Sequence, residues 1–287
     1  MAKHVAIDSL ARSGTTLLSA ILRSQEKTMV FCPGFNEPMA CRVPEHWPHS
    51  FCRRDFVEQD VEINFDKFKR NSLSQIKEFA QYNGLSEEEW KSIIFDAKSP
   101  EEVRENIEQA FPKVEVFGYR WNQTLCYFNR WANKGKNHLW LSMIRDPIDR
   151  AVSSNEKHGW SWKDSLENTV SFSNKVEEIE QHNQFGLFYY EDLVENPKKV
   201  ISEMYDFFDV TIEDINLVDV KGSNGKDFIP QSSKLKGTRK KDGYVVGEKY
   251  SGLYKNVINR HKEMPNNHRK SFRDSIKDVS VYERYFK

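Results

Sequence analysis

The sequence predicts a three-layer α/β/α fold with a mainly parallel central sheet, built as a single domain over residues 1–287. Three observations carry that expectation. Short apolar runs alternate with stretches of helical periodicity, the pattern of strands joined through crossover helices. Two of those runs end in a tight turn that opens directly into a helix. No repeat and no linker-like stretch divides the chain.

Val5, Ile7 and Leu10 form the first apolar run, and Leu17, Leu18, Ile21 and Leu22 recur behind it at helical spacing. Residues 60–112 read as a helix-rich insert: Phe65, Phe68, Ile76 and Phe79, then Trp90, Ile93, Ile94 and Phe95, are spaced as inward faces. Within it, Ser99, Pro100, Glu101 and Glu102 read as an N-cap, a first-turn proline and an acidic first turn. Residues 114–119 and 139–144 follow as strands, and Pro147 sits where the next helix begins. Further helices are expected over 165–180 and 198–208. Residues 221–250 are rich in glycine, lysine and serine, and residues 253–264 read as a final helix.

Lysine plus arginine and aspartate plus glutamate balance at 43 each, so no global field favours nucleic acid or an anionic membrane. No stretch approaches the ~20 apolar residues that span a bilayer. Met1-Ala2-Lys3 runs straight into the first strand and leaves no room for a leader, so the expected location is the cytoplasm. Cys32, Cys41, Cys52 and Cys126 form no CxxC pair. Three of them stand near His46 and His49, but the irregular spacing reads as reduced thiols and no metal site. Trp47, Trp121, Trp160 and Trp162 are available to line a cleft or to fill the core.

The first turn, Arg12-Ser13-Gly14-Thr15-Thr16, reads as a phosphate cradle. Backbone N–H groups and the positive end of a helix dipole converge there on one anion. Gly14 allows close approach, Arg12 adds a forked cationic donor, and Thr15 and Thr16 add hydroxyls. A nucleotide-triphosphatase loop would place glycine at Ser9 and lysine at Thr15. The cradle is present without the triphosphate hardware. The second turn carries Arg145 at a strand end and Ser153 about two helical turns onward, a pair spaced to flank a second anion. Taken alone, that turn also reads as an ordinary charged helix start.

Together these segments resemble the sulfotransferase superfamily, which uses 3′-phosphoadenosine 5′-phosphosulfate (PAPS). In that family a loop of the type R/K-S-G-T-[ST]-x-L grips the 5′-phosphosulfate. A later R-x-P-x-[DE]-x-[AL]-x-S segment grips the 3′-phosphate, with the same eight-position separation as Arg145 and Ser153. Residues 185–197, with Tyr190-Glu191-Asp192-Leu193 and then Pro197, are similar to a third family element, a strand ending in Y-E-D-L before a helix. The three matches follow the family's order from residue 5 to about 210. Arg12 in place of lysine resembles the carbohydrate, tyrosyl-protein and bacterial branches more than the small-phenol branch.

The resemblance implies a P-loop-like sulfotransferase fold and metal-independent, in-line transfer of a sulfuryl group from PAPS to a hydroxyl or amine acceptor. Arg12, Ser13, Gly14, Thr15, Thr16, Arg145, Ser153 and Tyr190 are then the nucleotide-binding set, with Arg12 also neutralising the leaving phosphate. The small-phenol branch places a histidine base after the strand where this chain has Tyr119-Arg120-Trp121-Asn122. Other branches use a Glu-Pro after the second strand. Phe35-Asn36-Glu37-Pro38 stands in that place, which makes Glu37 the candidate base, with His46 and His49 in reserve. The family also closes a C-terminal Arg/Lys-Gly segment over the 3′-phosphate, and Lys236, Arg239 and Lys240 are similar in composition. A small-molecule P-loop kinase and a silent adenosine-bisphosphate-binding module are the alternatives. The kinase would require magnesium, and the module would not turn over. Acceptor identity and oligomeric state leave no mark on the sequence.

Overall fold

The computed structural model describes residues 2–31, 85–98, 100–120, 125–217 and 260–286. Its centre is a five-stranded sheet of order β2-β3-β1-β4-β5. The strands are β1 (Lys3–Asp8), β2 (Thr28–Phe31), β3 (Val116–Arg120), β4 (His138–Ile144) and β5 (Phe185–Tyr189). Every pairing is parallel. The helices are α1 (Thr15–Arg23), α2 (Glu87–Phe95), α3 (Pro100–Ala110), α4 (Phe128–Ala132), α5 (Pro147–His158), α6 (Trp162–Ile179), α7 (Tyr190–Glu195), α8 (Pro197–Phe208) and α9 (Asn266–Ile276). Short 3₁₀ turns cover Leu125–Tyr127, His261–Glu263 and Ser280–Tyr285.

Two apolar layers sandwich the sheet, as a parallel sheet buried on both faces requires. One gathers Leu17, Leu18 and Ile21 of α1 with Ile201, Met204 and Phe208 of α8 against Val5, Ile7 and Leu141. The other joins Trp90, Ile107, Trp131, Phe172 and Phe272 against Ala6, Phe117 and Trp140. Among the described residues no helix is long and apolar enough to cross a membrane.

β1 is the central strand. The chain leaves it toward β2 on one side, and leaves its neighbour β4 toward β5 on the other. Beyond the carboxyl ends of such a pair lies the crevice where open parallel sheets bind ligands. Asp8 aligns with Ser142, and Ile144 with Tyr189, so the turns after β1, β4 and β5 emerge side by side.

The three-layer expectation holds, and the expected helices over 165–180 and 198–208 appear as α6 and α8. Of the final helix expected over 253–264, only residues 260–264 are described, and they are not α-helical. Residues 253–259, like Ser99, fall outside the described set. Arg260 and Met264 flank a 3₁₀ turn, and an α-helix follows from Asn266. Pro265 explains the difference: it pushes the residue before it out of the helical region, and Met264 is extended at φ −90°, ψ 133°.

Candidate active site

Ser9 fastens the turn after β1 to β4. Its hydroxyl donates to the Met143 carbonyl and accepts from the Met143 amide, both at 2.7 Å. The backbone then takes two left-handed residues, Arg12 at φ 74° and Gly14 at φ 95°. Gly14 caps α1 without any side-chain hydrogen bond, and the first turn of α1 carries no acidic residue. The opening amides of a helix have no intrahelical acceptor, so Thr15, Thr16 and Leu17 present N–H groups at the positive end of the dipole. A helix start of this kind can receive an anion. Thr16 is exposed there, while Ser13 and Thr15 are buried.

Tyr190, the first residue of α7, explains the glycine. A Cβ on Gly14 would fall 2.3 Å from Cδ2 of that ring. Tyr190 is only 3% exposed, and burial pushes its phenol up to about 12. Its ring forms the floor of the turn.

The turn after β4 leans on the turn after β1. Arg145 stacks over the Tyr190 ring at 5.0 Å and donates from Nη1 to the Arg12 carbonyl at 3.0 Å. Arg12 Nε donates to Ser153 Oγ at 3.0 Å. Arg12, Arg145 and Ser153, separated by up to 141 positions, thus form one cluster with the opening turn of α1. Burial, and next the charge of Arg145, hold the Arg12 guanidinium below its ordinary value. Two guanidiniums drawn together in a partly desolvated crevice are an arrangement that a multiply charged anion could relieve.

A polar frame surrounds the cluster. Asp146 caps α5, its Oδ1 accepting from the Ile148 and Asp149 amides at 2.8 and 2.9 Å. Its Oδ2 meets His261 Nε2 at 2.8 Å, and that bond raises the imidazole. Asp149 accepts from the Arg260 amide at 2.7 Å; burial, reinforced by the Asp146 charge, pushes its carboxyl up to about 6. Ligand atoms of Asp146, Asp149 and His261 lie within 4.8 Å of one another. Each already has a protein partner, so the group works as a latch for the C-terminal segment.

The sequence reading missed this frame, and Ser9 with it. His261, Arg260 and Tyr285 are isolated polar residues without a motif, and only proximity to Asp146, Asp149 and Glu191 gives them meaning. Ser9 was legible only as a departure from the triphosphatase loop. Glu37, His46, His49, Trp47, Trp121, Lys236, Arg239 and Lys240, together with Cys32, Cys41 and Cys52, lie outside the described residues.

The comparisons agree with this architecture. A sulfotransferase domain from the curacin biosynthetic pathway superposes with a TM-score of 0.55 at 15% identity, covering 96% of this chain and 98% of that one. A sulfotransferase domain from the Synechococcus PCC 7002 olefin synthase gives 0.53 at 10% identity, covering 96% and 94%. Both show the fold. No curated protein matches in sequence. A family model described as "Sulfotransferase family" matches residues 5–214, a span that holds both turns and the Tyr190 floor. The chain therefore belongs to the sulfotransferase family, and it is a sulfotransferase enzyme.

Proposed function

We propose that this enzyme takes its sulfuryl group from PAPS and delivers it in line to a hydroxyl or amine acceptor. The observation that supports this most is the single cluster of uncapped α1 amides, Arg12, Arg145 and Ser153. The donor carries two anionic ends, and the cluster offers two cationic turns. The turn is also shaped sterically: a Cβ at Gly14 would strike the Tyr190 ring, so the bare backbone lets the turn settle on that floor with its amides facing the crevice.

When bound, PAPS supplies the sulfuryl group and a phosphate leaving group. The α1 amides, Arg12, Thr15 and Thr16 would hold the phosphosulfate end and neutralise charge developing on the departing phosphate. Arg145 and Ser153 would hold the 3′-phosphate, with Tyr190 supporting Gly14 and Arg145 from below. Glu37 is proposed as the base that takes the acceptor's proton, and Lys236, Arg239 and Lys240 as the segment that closes over the 3′-phosphate. A sulfuryl group carries less charge than a phosphoryl group, so cationic side chains and amides suffice without a divalent metal. We place the enzyme in the cytoplasm as a single domain, in keeping with cysteines that lack paired spacing.

Heat stability tests the donor assignment. Adenosine 3′,5′-bisphosphate at one hundred times its dissociation constant should add about 2.7 kcal/mol, and adenosine 5′-monophosphate much less at the same concentration. Equal shifts would remove the 3′-phosphate role from Arg145 and Ser153. Turnover that requires magnesium would instead point to phosphoryl transfer.

A further inference from the structure

Resting on that reading, we infer that Glu191 is a positioning residue for nucleotide recognition, setting Arg145 through the Asp146 amide and itself held by Tyr285 near the C-terminus. Glu191 lies in the first turn of α7, directly after Tyr190. Its Oε1 accepts from the Asp146 N–H at 3.0 Å, the peptide immediately following Arg145. Its Oε2 accepts from the Tyr285 hydroxyl at 2.6 Å. One carboxylate therefore joins the turn after β5, the turn after β4 and the 3₁₀ turn Ser280–Tyr285.

The neighbouring contacts show that this is a built connection. Arg284 forks onto Asp192 at 2.6 and 2.7 Å and stacks over the Tyr189 ring at 4.3 Å, which fixes Tyr285 in place. Burial raises the Glu191 carboxyl, while the Tyr285 hydroxyl, the Asp146 amide and the Arg145 charge favour its ionised form. Tyr190 and Glu191 divide the task. The ring sets the height of Gly14 and the guanidinium stacked above it. The carboxylate sets the rotation of the Arg145–Asp146 peptide, and with it the direction in which the Arg145 side chain leaves the backbone. Groups that orient metal ligands from behind typically contribute 10–100-fold to affinity or activity, and the same logic applies to a guanidinium held for a phosphate.

The test compares adenosine 3′,5′-bisphosphate with adenosine 5′-monophosphate by titration calorimetry on the full chain. Glu191→Ala should weaken the bisphosphate about ten-fold or more and leave the monophosphate within about two-fold. Glu191→Gln, which keeps a carbonyl oxygen for the Asp146 amide, should recover most of that loss. Tyr285→Phe should fall between wild type and Glu191→Ala. In an Arg145→Ala background the Glu191 substitution should add nothing, because both changes remove the same contribution. Equal losses for the two nucleotides, or full additivity with Arg145→Ala, would overturn the inference. Should the wild-type chain bind neither nucleotide, the donor assignment fails by itself. The positioning claim is then judged by hydrogen exchange at the Asp146 amide. It requires protection in wild type and Glu191→Gln and faster exchange in Glu191→Ala; unchanged exchange overturns it.

Discussion

Adding one methyl group at Gly14 tests how tightly the turn after β1 is built. Gly14 sits at φ 95°, where a residue with a Cβ is strained by about 1–2 kcal/mol. The new carbon would also meet Tyr190 Cδ2 at 2.3 Å and Cε2 at 2.7 Å, inside van der Waals contact. The ring is buried beneath Arg145. Overpacking of that kind costs about 1–3 kcal/mol, so Gly14→Ala should destabilise by roughly 2–5 kcal/mol in all. At about 2–4 °C per kcal/mol for a chain near this size, the melting midpoint should fall by roughly 4–20 °C. Differential scanning calorimetry reads the shift, and a cycle with Tyr190→Leu separates the two parts. Its coupling energy should equal the overpacking share, because removing the ring relieves the overlap and leaves the backbone strain. A midpoint unchanged by Gly14→Ala, or a coupling of zero, would refute the claim that Tyr190 sets the turn.

Arg145→Ala should weaken adenosine 3′,5′-bisphosphate binding by about 1.5–3 kcal/mol, the range of a charge-assisted contact; wild-type affinity in calorimetry would reduce Arg145 to a helix-start charge. Glu37→Gln should preserve nucleotide affinity while lowering turnover roughly 10²–10⁴-fold. Turnover within a few-fold of wild type, measured with an acceptor or by slow donor hydrolysis, would move the base to His46 or His49. His261→Gln should destabilise the protein in acid more than in base. The Asp146 bond raises the imidazole above its ordinary value, so its contribution is full below about pH 6.5 and fades as the pH climbs through the raised value. Urea midpoints of variant and wild type should converge at alkaline pH, and a gap that is constant with pH would contradict the ionic character of the latch.

The parts of the fold and site written in contiguous residues were legible in the sequence. β1 and β4 announced themselves as apolar runs, and Gly14 and Pro147 marked the turns because only particular backbones start helices there. The joining of Arg12 to Ser153 was not legible, since it depends on β1 and β4 lying side by side. The C-terminal frame was less legible still. His261 reaches Asp146 across 115 positions and Tyr285 reaches Glu191 across 94, and nothing periodic marks a lone histidine or tyrosine for such a task. Pro265 was visible, but its effect on Met264 was outweighed by the apolar spacing before it. Helix α7 is six residues long, too short for its period to stand out from the strand it follows.

The hydroxyl of Ser9 turns the edge of the sheet into a ruler. Paired strands stop at Asp8 opposite Ser142, and one step further a side chain takes over both backbone hydrogen bonds of Met143. The gap between the two cationic turns is therefore fixed by strand register, which moves only in whole residues of about 3.3 Å. Drift in the covering helices can reshape what approaches the crevice without altering that spacing. The spacing of the two turns and the shape of the layer that covers them are then set by separate parts of the same molecule.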